Sequence, residues 1–212
     1  DVNDLLQGRQ CDVAMVCGLP LIRGEREFGM KAIAIPVIAG RRTYRTLIVV
    51  PAESPARSLL DLKGKKFASA GTFSLSGWVY PALLIKRASH DPYHFFGEVL
   101  PTGSHDRSVQ AVAMGVADGG SILSMVYERM PEDVRRKTRI IDQSPPFGMP
   151  AFCVRSDADP ELAGRIQSVL IHMHETPEGK EILAALGEDR FEIPAADLYQ
   201  SVRDVIREWE SN

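Results

Sequence analysis

Apolar runs rich in β-branched residues alternate with segments whose apolar positions recur every three or four residues. That alternation predicts an α/β protein with largely parallel sheets covered by helices. Strands are expected at residues 12–16, 32–37, 46–50, 66–70, 98–100, 119–123, 139–142 and 151–154. Helix starts are marked by capping chemistry. Ser104 or Asp106 precedes Val109, Val112, Ala113 and Val116 at helical spacing, and Asp159-Pro160-Glu161 and Thr176-Pro177-Glu178 each set a capping side chain before a proline. A last helix is expected over 195–209, with Leu198, Val202, Val205, Ile206 and Trp209 on its core face.

Two proline-rich stretches interrupt this pattern. Leu47 to Val50 runs into Pro51-Ala52-Glu53-Ser54-Pro55, and Ser144-Pro145-Pro146-Phe147-Gly148-Met149-Pro150 runs into the strand at Ala151. Read as crossovers, they divide the chain into a discontinuous first lobe, 1–48 and 149–212, and a second lobe, 49–148. Two lobes joined by two crossing strands suit hinge closure on a ligand held in the cleft between them.

Composition changes this picture mainly by exclusion. With 25 Lys and Arg against 28 Asp and Glu, the 212-residue chain has a net charge of −3 and lacks the basic field that binds nucleic acid or anionic membrane. Anions must therefore be captured locally. No apolar stretch approaches the roughly 20 residues of a membrane-spanning helix, so no direct membrane insertion is expected. The opening residues, Asp1 to Gly8, read as the tail of a helix, which points to sequence upstream of the chain. Cys11, Cys17 and Cys153 are too few for a disulfide framework, and Cys11 and Cys17 on one strand would stand roughly 20 Å apart. The expected role of all three is that of small buried hydrophobes.

Candidate chemistry concentrates in Gly71-Thr72-Phe73-Ser74-Leu75-Ser76-Gly77-Trp78, between a strand and a helix. A small-residue turn at a helix start presents backbone N–H groups and the positive end of the helix dipole to a tetrahedral anion. Ser74 and Ser76 add hydroxyl donors, and Gly77 admits close backbone approach. Pro81 lies just inside the helix, where its missing N–H leaves a carbonyl near Gly77 unbonded. The turn lacks the Gly-Lys-Ser/Thr of a Walker loop and the Gly-x-Ser-x-Gly of a nucleophile elbow. A second group, Thr102-Gly103-Ser104-His105-Asp106, repeats the arrangement after the next strand, with His105 as a donor. A Ser76–His105–Asp106 triad is disfavoured, because adjacent residues do not place a carboxylate behind the imidazole, so no catalysis is expected. His172 and His174 point apart on a helix, and His90 and His94 flank Pro92 in a loop, so no metal site is expected.

The ordered set Leu62-Lys63-Gly64-Lys65, Ser74-x-Ser76-Gly77-x-x-Tyr80-Pro81, Gly103-Ser104-His105-Asp106, Ala111-Val112, Gly115 and Val116-Ala117-Asp118 resembles the phosphonate-binding subunit of phosphonate ABC importers. The likeness continues at Leu6-x-Gly8-x-x-x-Asp12-Val13-Ala14, Leu47-Ile48-Val49, Ser144-Pro145, Thr176-Pro177-Glu178-Gly179-Lys180 and Leu186-Gly187. It implies a two-lobed, type II periplasmic-binding-protein fold whose first lobe lacks its opening strand, helix and strand. It implies a periplasmic or extracytoplasmic solute receptor for a small oxyanion of the phosphonate, phosphite or phosphate type, with ABC permease subunits as partners and no cofactor. The implied ligand-binding residues are Thr72, Ser74, Leu75, Ser76, Gly77 and His105, with Tyr44 matching an aromatic position of the first lobe.

This chain departs from the family at Leu75, where the Ser-Thr-Ser-Gly turn loses one hydroxyl and keeps its N–H. It also lacks the carboxylates that receive an amine in receptors for aminoalkyl phosphonates, reading Ser121 to Met125 and Gly148-Met149-Pro150 in those regions. A buried ammonium would have no partner there. Arg42 and Arg45 flank Tyr44 and are expected on the solvated surface. The alternative function is a ligand-binding sensor or effector domain of a regulatory protein with the same fold.

Overall fold

The computed structural model describes residues 2–71 and 74–211. The chain divides into two units, residues 1–43 with 147–203, and residues 44–146 with 204–212.

The first unit is built on a four-stranded sheet in the order Val13–Val16, Ala151–Val154, Lys31–Val37, Arg190–Glu192. Every pairing in it is antiparallel. Helix Pro160–His172 covers strands 31–37 and 190–192. Ala34, Leu170, Leu183 and Phe191 form a core there, with Phe152 edge-on to Phe191 at 5.4 Å. The capping residues foreseen in the sequence act as such: Asp159 accepts from Glu161 N at 2.9 Å, and Thr176 accepts from Gly179 N at 3.0 Å. Each satisfies a helix-start N–H that has no partner within its own helix.

The second unit carries a five-stranded sheet in the order Glu98–Pro101, Lys66–Ser69, Gly119–Leu123, Thr46–Pro51, Thr138–Gln143. The first three strands are parallel, and Thr46–Pro51 runs antiparallel to both of its neighbours. Its side chains alternate between two cores, as the two-residue period of a strand requires. Ile48 and Val50 join Phe67, Trp78, Ile85 and Phe96 on one face, while Leu47 and Val49 join Val109, Val112 and Ile122 on the other. Phe67 and Phe96 stack with ring centroids 4.2 Å apart.

The expectation of largely parallel sheets therefore holds for only three strands. A buried apolar run reads alike in either direction, and pairing direction is settled by where the connections run. The sequence reading cut the chain after residue 48, but Thr46–Pro51 pairs along its length with strands of the second unit. The last nine residues group there too. Lys86 Nζ donates to Trp209 O at 3.1 Å and sits 4.4 Å from the Trp209 ring centroid, and Arg87 forms a two-pronged pair with Glu208.

Register positions the candidate site. In the parallel triplet Ser69 lies opposite Pro101 on one side and Ser121 on the other. Strands Lys66–Ser69 and Glu98–Pro101 thus end level, with Gly119–Leu123 running two residues further, and the segments that follow all three emerge along one edge of the sheet. This is where ligands gather in open α/β sheets, because successive helices begin there.

Candidate functional site

Two of those turns begin helices that bring the predicted residues together. The first runs from Leu75 to Arg87, opening with a π-helical stretch over Leu75–Val79 that passes into the α-helix Tyr80–Arg87. Pro81 accounts for the irregular start, since it can donate no hydrogen bond to the turn before it. The carbonyls of that turn are met by hydroxyls from the sheet. Ser69 Oγ donates to Gly77 O at 2.9 Å, and Ser121 Oγ donates to Ser76 O. Ser69 and Ser121 are buried, 1% and 0% exposed, so these bonds hold the turn to the strand ends.

Ser74 is the N-cap, its Oγ accepting from Gly77 N at 3.0 Å. Gly77 is required for close approach: a Cβ there would lie 3.0 Å from Ser74 Cβ and 3.3 Å from Gly71 O. The N–H groups of Leu75 and Ser76 stand in the first turn, where a helix supplies no acceptor. Leu75 is 3% exposed. Its side chain packs inward and leaves the backbone N–H as its possible contribution. Thr72 lies outside the described residues.

The second helix, His105–Ala113, starts at the N-cap Ser104 after a left-handed turn at Gly103, whose φ of 77° favours glycine. Thr102 Oγ1 donates to Ser104 O at 2.9 Å and lies 2.6 Å from Ser108 Oγ. Thr102 N also donates to Ser69 O at 2.9 Å, so the second helix start is tied to the strand that leads into the first. The result is a polar chain: Ser74 Oγ lies 3.4 Å from Ser76 Oγ, which lies 3.3 Å from His105 Nε2.

Charge in this cluster is sparse. Burial lowers the His105 pKa from 6.5 to about 4, with the Ser121 backbone and the Asp106 carboxylate pulling weakly the other way. The ring is neutral at pH 7. Asp106 is itself held below the usual carboxylate range by a hydrogen bond from Ser104. A triad would need a carboxylate behind the ring, yet the buried Nδ1 of His105 has no hydrogen-bond partner among the described residues.

The remaining predicted positions fall elsewhere. Tyr44 is 5% exposed on the short strand Thr43–Tyr44 and belongs by contacts to the second unit, where the sequence reading had placed it in the first lobe. Arg42 is occupied by Glu192 at 2.5 and 2.9 Å, and Arg45 Nη1 donates to Ser144 O. Cys153 is buried, its thiol pushed up to about 12, whereas Cys17 is exposed, against expectation. His94 pairs with Asp91 on the surface, and no group of three or more potential metal ligands occurs among the described residues. Sequence reasoning named Thr102 within the second turn but missed Ser69 and Ser121 as hydroxyls that bind backbone carbonyls around the site. Only the parallel register that aligns their strand ends could have revealed them.

Comparison with solved structures identifies the fold. A binding protein component of an ABC phosphonate transporter from Pseudomonas aeruginosa superposes with a TM-score of 0.84 at 21% identity, covering 99% of this chain and 72% of that one. PhnD1 from Prochlorococcus marinus, in complex with methylphosphonate, gives 0.77 at 17% identity over 100% and 83% of the two chains. The Xanthomonas citri protein XAC2383, bound to chloride ion, gives 0.82 at 20% identity over 99% and 81%; the same protein has been solved bound to ATP. The fold is thus the two-lobed type II periplasmic-binding-protein fold expected from the sequence. The family model for the periplasmic substrate-binding protein of phosphonate ABC transporters matches residues 1–199. On that match, the chain belongs to the family of phosphonate ABC transporter periplasmic substrate-binding proteins.

Proposed function

We propose that this chain captures a small oxyanion of the phosphonate, phosphite or phosphate type at the serine turn and His105 and delivers it to the permease subunits of an ABC importer, outside the cytoplasm. The observation that carries the reading is the 3.3 Å approach of Ser76 Oγ to His105 Nε2, which sets two helix starts against one small volume. Each helix start contributes about half a positive charge and its unbonded N–H groups. Ser74, Ser76 and His105 add side-chain hydrogen bonds, while Leu75 and Gly77 contribute backbone. His105 Nε2 stands 3.3 Å from Ser76 Oγ, but no carboxylate is hydrogen-bonded to its Nδ1 among the described residues to complete a triad, and in this reading the site binds and releases without covalent chemistry.

The ligand of this reading has no amine. Residues 119–126 contain no acid, and Ser121 and Ser124 are engaged with the Ser76 carbonyl and with Arg45 N. A ligand ammonium would be desolvated there without a countercharge. Calorimetry against phosphate, phosphite, methylphosphonate, aminoethylphosphonate and sulfate tests both statements. Binding of at least one of the first three, with aminoethylphosphonate the weaker of the two phosphonates, is expected. Heat from none of the five would overturn the receptor reading.

A further inference from the structure

Ser69 ends its strand, is 1% exposed, and has a hydroxyl with two backbone partners. Ser69 Oγ accepts from Gly71 N at 3.2 Å and donates to Gly77 O at 2.9 Å. One buried hydroxyl thus holds both the entry and the exit of the serine turn against the strand end. The turn's own bonds, Ser74 N to Gly71 O at 3.2 Å and Gly77 N to Ser74 Oγ at 3.0 Å, run between those ends.

The main chain of the same residue holds the other helix start. Ser69 O accepts from Thr102 N at 2.9 Å and lies 3.1 Å from Thr102 Oγ1. Thr102 Oγ1 in turn reaches Ser104 O, the carbonyl of the N-cap residue, and Ser108 Oγ, one turn into the helix that begins at His105. Ser121 Oγ acts on the serine turn, through Ser76 O. Ser69 reaches both sides: its hydroxyl fixes the turn that carries Ser76, and its carbonyl fixes the turn that carries His105.

The atoms positioned in this way are Ser76 Oγ and His105 Nε2, 3.3 Å apart. An anion shared by groups on two separate turns is held only as firmly as the gap between them is fixed. Displacing either side by a fraction of an ångström lengthens its bonds to the shared ligand.

We propose, building on the receptor reading above, that Ser69 is a positioning residue of the anion site, setting the separation of Ser76 and His105 on which capture of a single tetrahedral oxyanion depends. It acts through the two turns, since its own hydroxyl is buried and bonded to backbone on both sides.

Calorimetry of the full chain with phosphite, methylphosphonate and phosphate tests this on wild type, Ser69→Ala, Thr102→Val and the double variant, with circular dichroism to establish folding. For each anion that wild type binds, Ser69→Ala should raise Kd about tenfold or more at an unchanged stoichiometry. Thr102→Val keeps the N–H bond and loses the hydroxyl that spans Ser69 O and Ser104 O, so its Kd should rise about threefold or more. Both bonds hold one gap, so the double variant should bind about as weakly as Ser69→Ala alone.

An unchanged Kd in folded Ser69→Ala, a loss expressed only as reduced stoichiometry, or losses that multiply in the double variant would each overturn the inference. A residue that merely stabilises the fold lowers the amount of competent protein and leaves the Kd of the folded molecules alone. Should Ser69→Ala fail to fold, Thr102→Val decides the matter, and an unchanged Kd there overturns the inference. Wild type that binds while the folded variants match it overturns the positioning role and leaves the receptor reading intact. Wild type that binds none of the three anions overturns both.

Discussion

His105 is the residue whose environment most changes its chemistry. Folded, its ring stays unprotonated until about pH 4, while in the unfolded chain it takes up a proton near 6.5. Between those values the unfolded state binds more protons, so stability is fully present above pH 6.5 and is lost as pH falls toward 4, by about 3 kcal/mol at most. His105→Gln should remove this share of the acid sensitivity, giving a shallower fall of urea-unfolding free energy over that window. Ser76 lies 3% exposed beneath the proposed anion position. Ser76→Ala should weaken phosphonate or phosphite binding by about 1–3 kcal/mol in calorimetry, the usual cost of leaving a charged hydrogen-bond partner unmet. Unchanged affinity would count against the assignment. Ser76 and His105 were legible in the sequence because helix starts after strands collect hydroxyls and glycine. That Leu75 turns its side chain inward was not, since only packing decides which way an apolar residue in a polar turn will point.

At the scale of elements, the helix start at Leu75 depends on hydroxyls from two other strands. Pro81 leaves carbonyls without amide donors, and Ser69 and Ser121 bind those of Gly77 and Ser76. Ser69→Ala or Ser121→Ala should therefore destabilise the chain by about 1–3 kcal/mol, the cost of an orphaned buried acceptor. Each should also speed amide exchange across residues 75–80 more than across the sheet. Equal exchange across both would argue against the hydroxyl bonds as the local restraint. The carbonyl left open by Pro81 was readable from the chain, but its partners were not. Ser69 and Ser121 are 52 residues apart in sequence, and the pairing of their strands sets them side by side.

At the scale of the whole molecule, the chain leaves its first unit after Thr43, returns at Phe147 and ends among residues of the second. Truncation after Arg203 would remove the Glu208 partner of Arg87 and the Trp209 ring that Lys86 approaches. Hydrogen exchange should then show lost protection over helix Tyr80–Arg87, with strand Lys31–Val37 of the first unit unaffected. Unchanged protection in that helix would mean that the C-terminal contacts do not stabilise it. The sequence had placed Val202, Val205, Ile206 and Trp209 on one apolar face, and the first three are buried. An amphipathic face declares that it will be covered without declaring by what.

Taken alone, the chain of amino acids determined the α/β class, most strand and helix positions, the capped helix starts and the serine turn with its companion histidine. Each of these follows from the periodicity or local bonding of residues close in sequence. Tertiary structure decided the direction of strand pairing, the grouping of the C-terminal segment with residues 44–146, the hydroxyls behind the Pro81 turn and the neutrality of His105. These depend on burial and on groups brought close from distant parts of the chain, and local pattern carries no record of either.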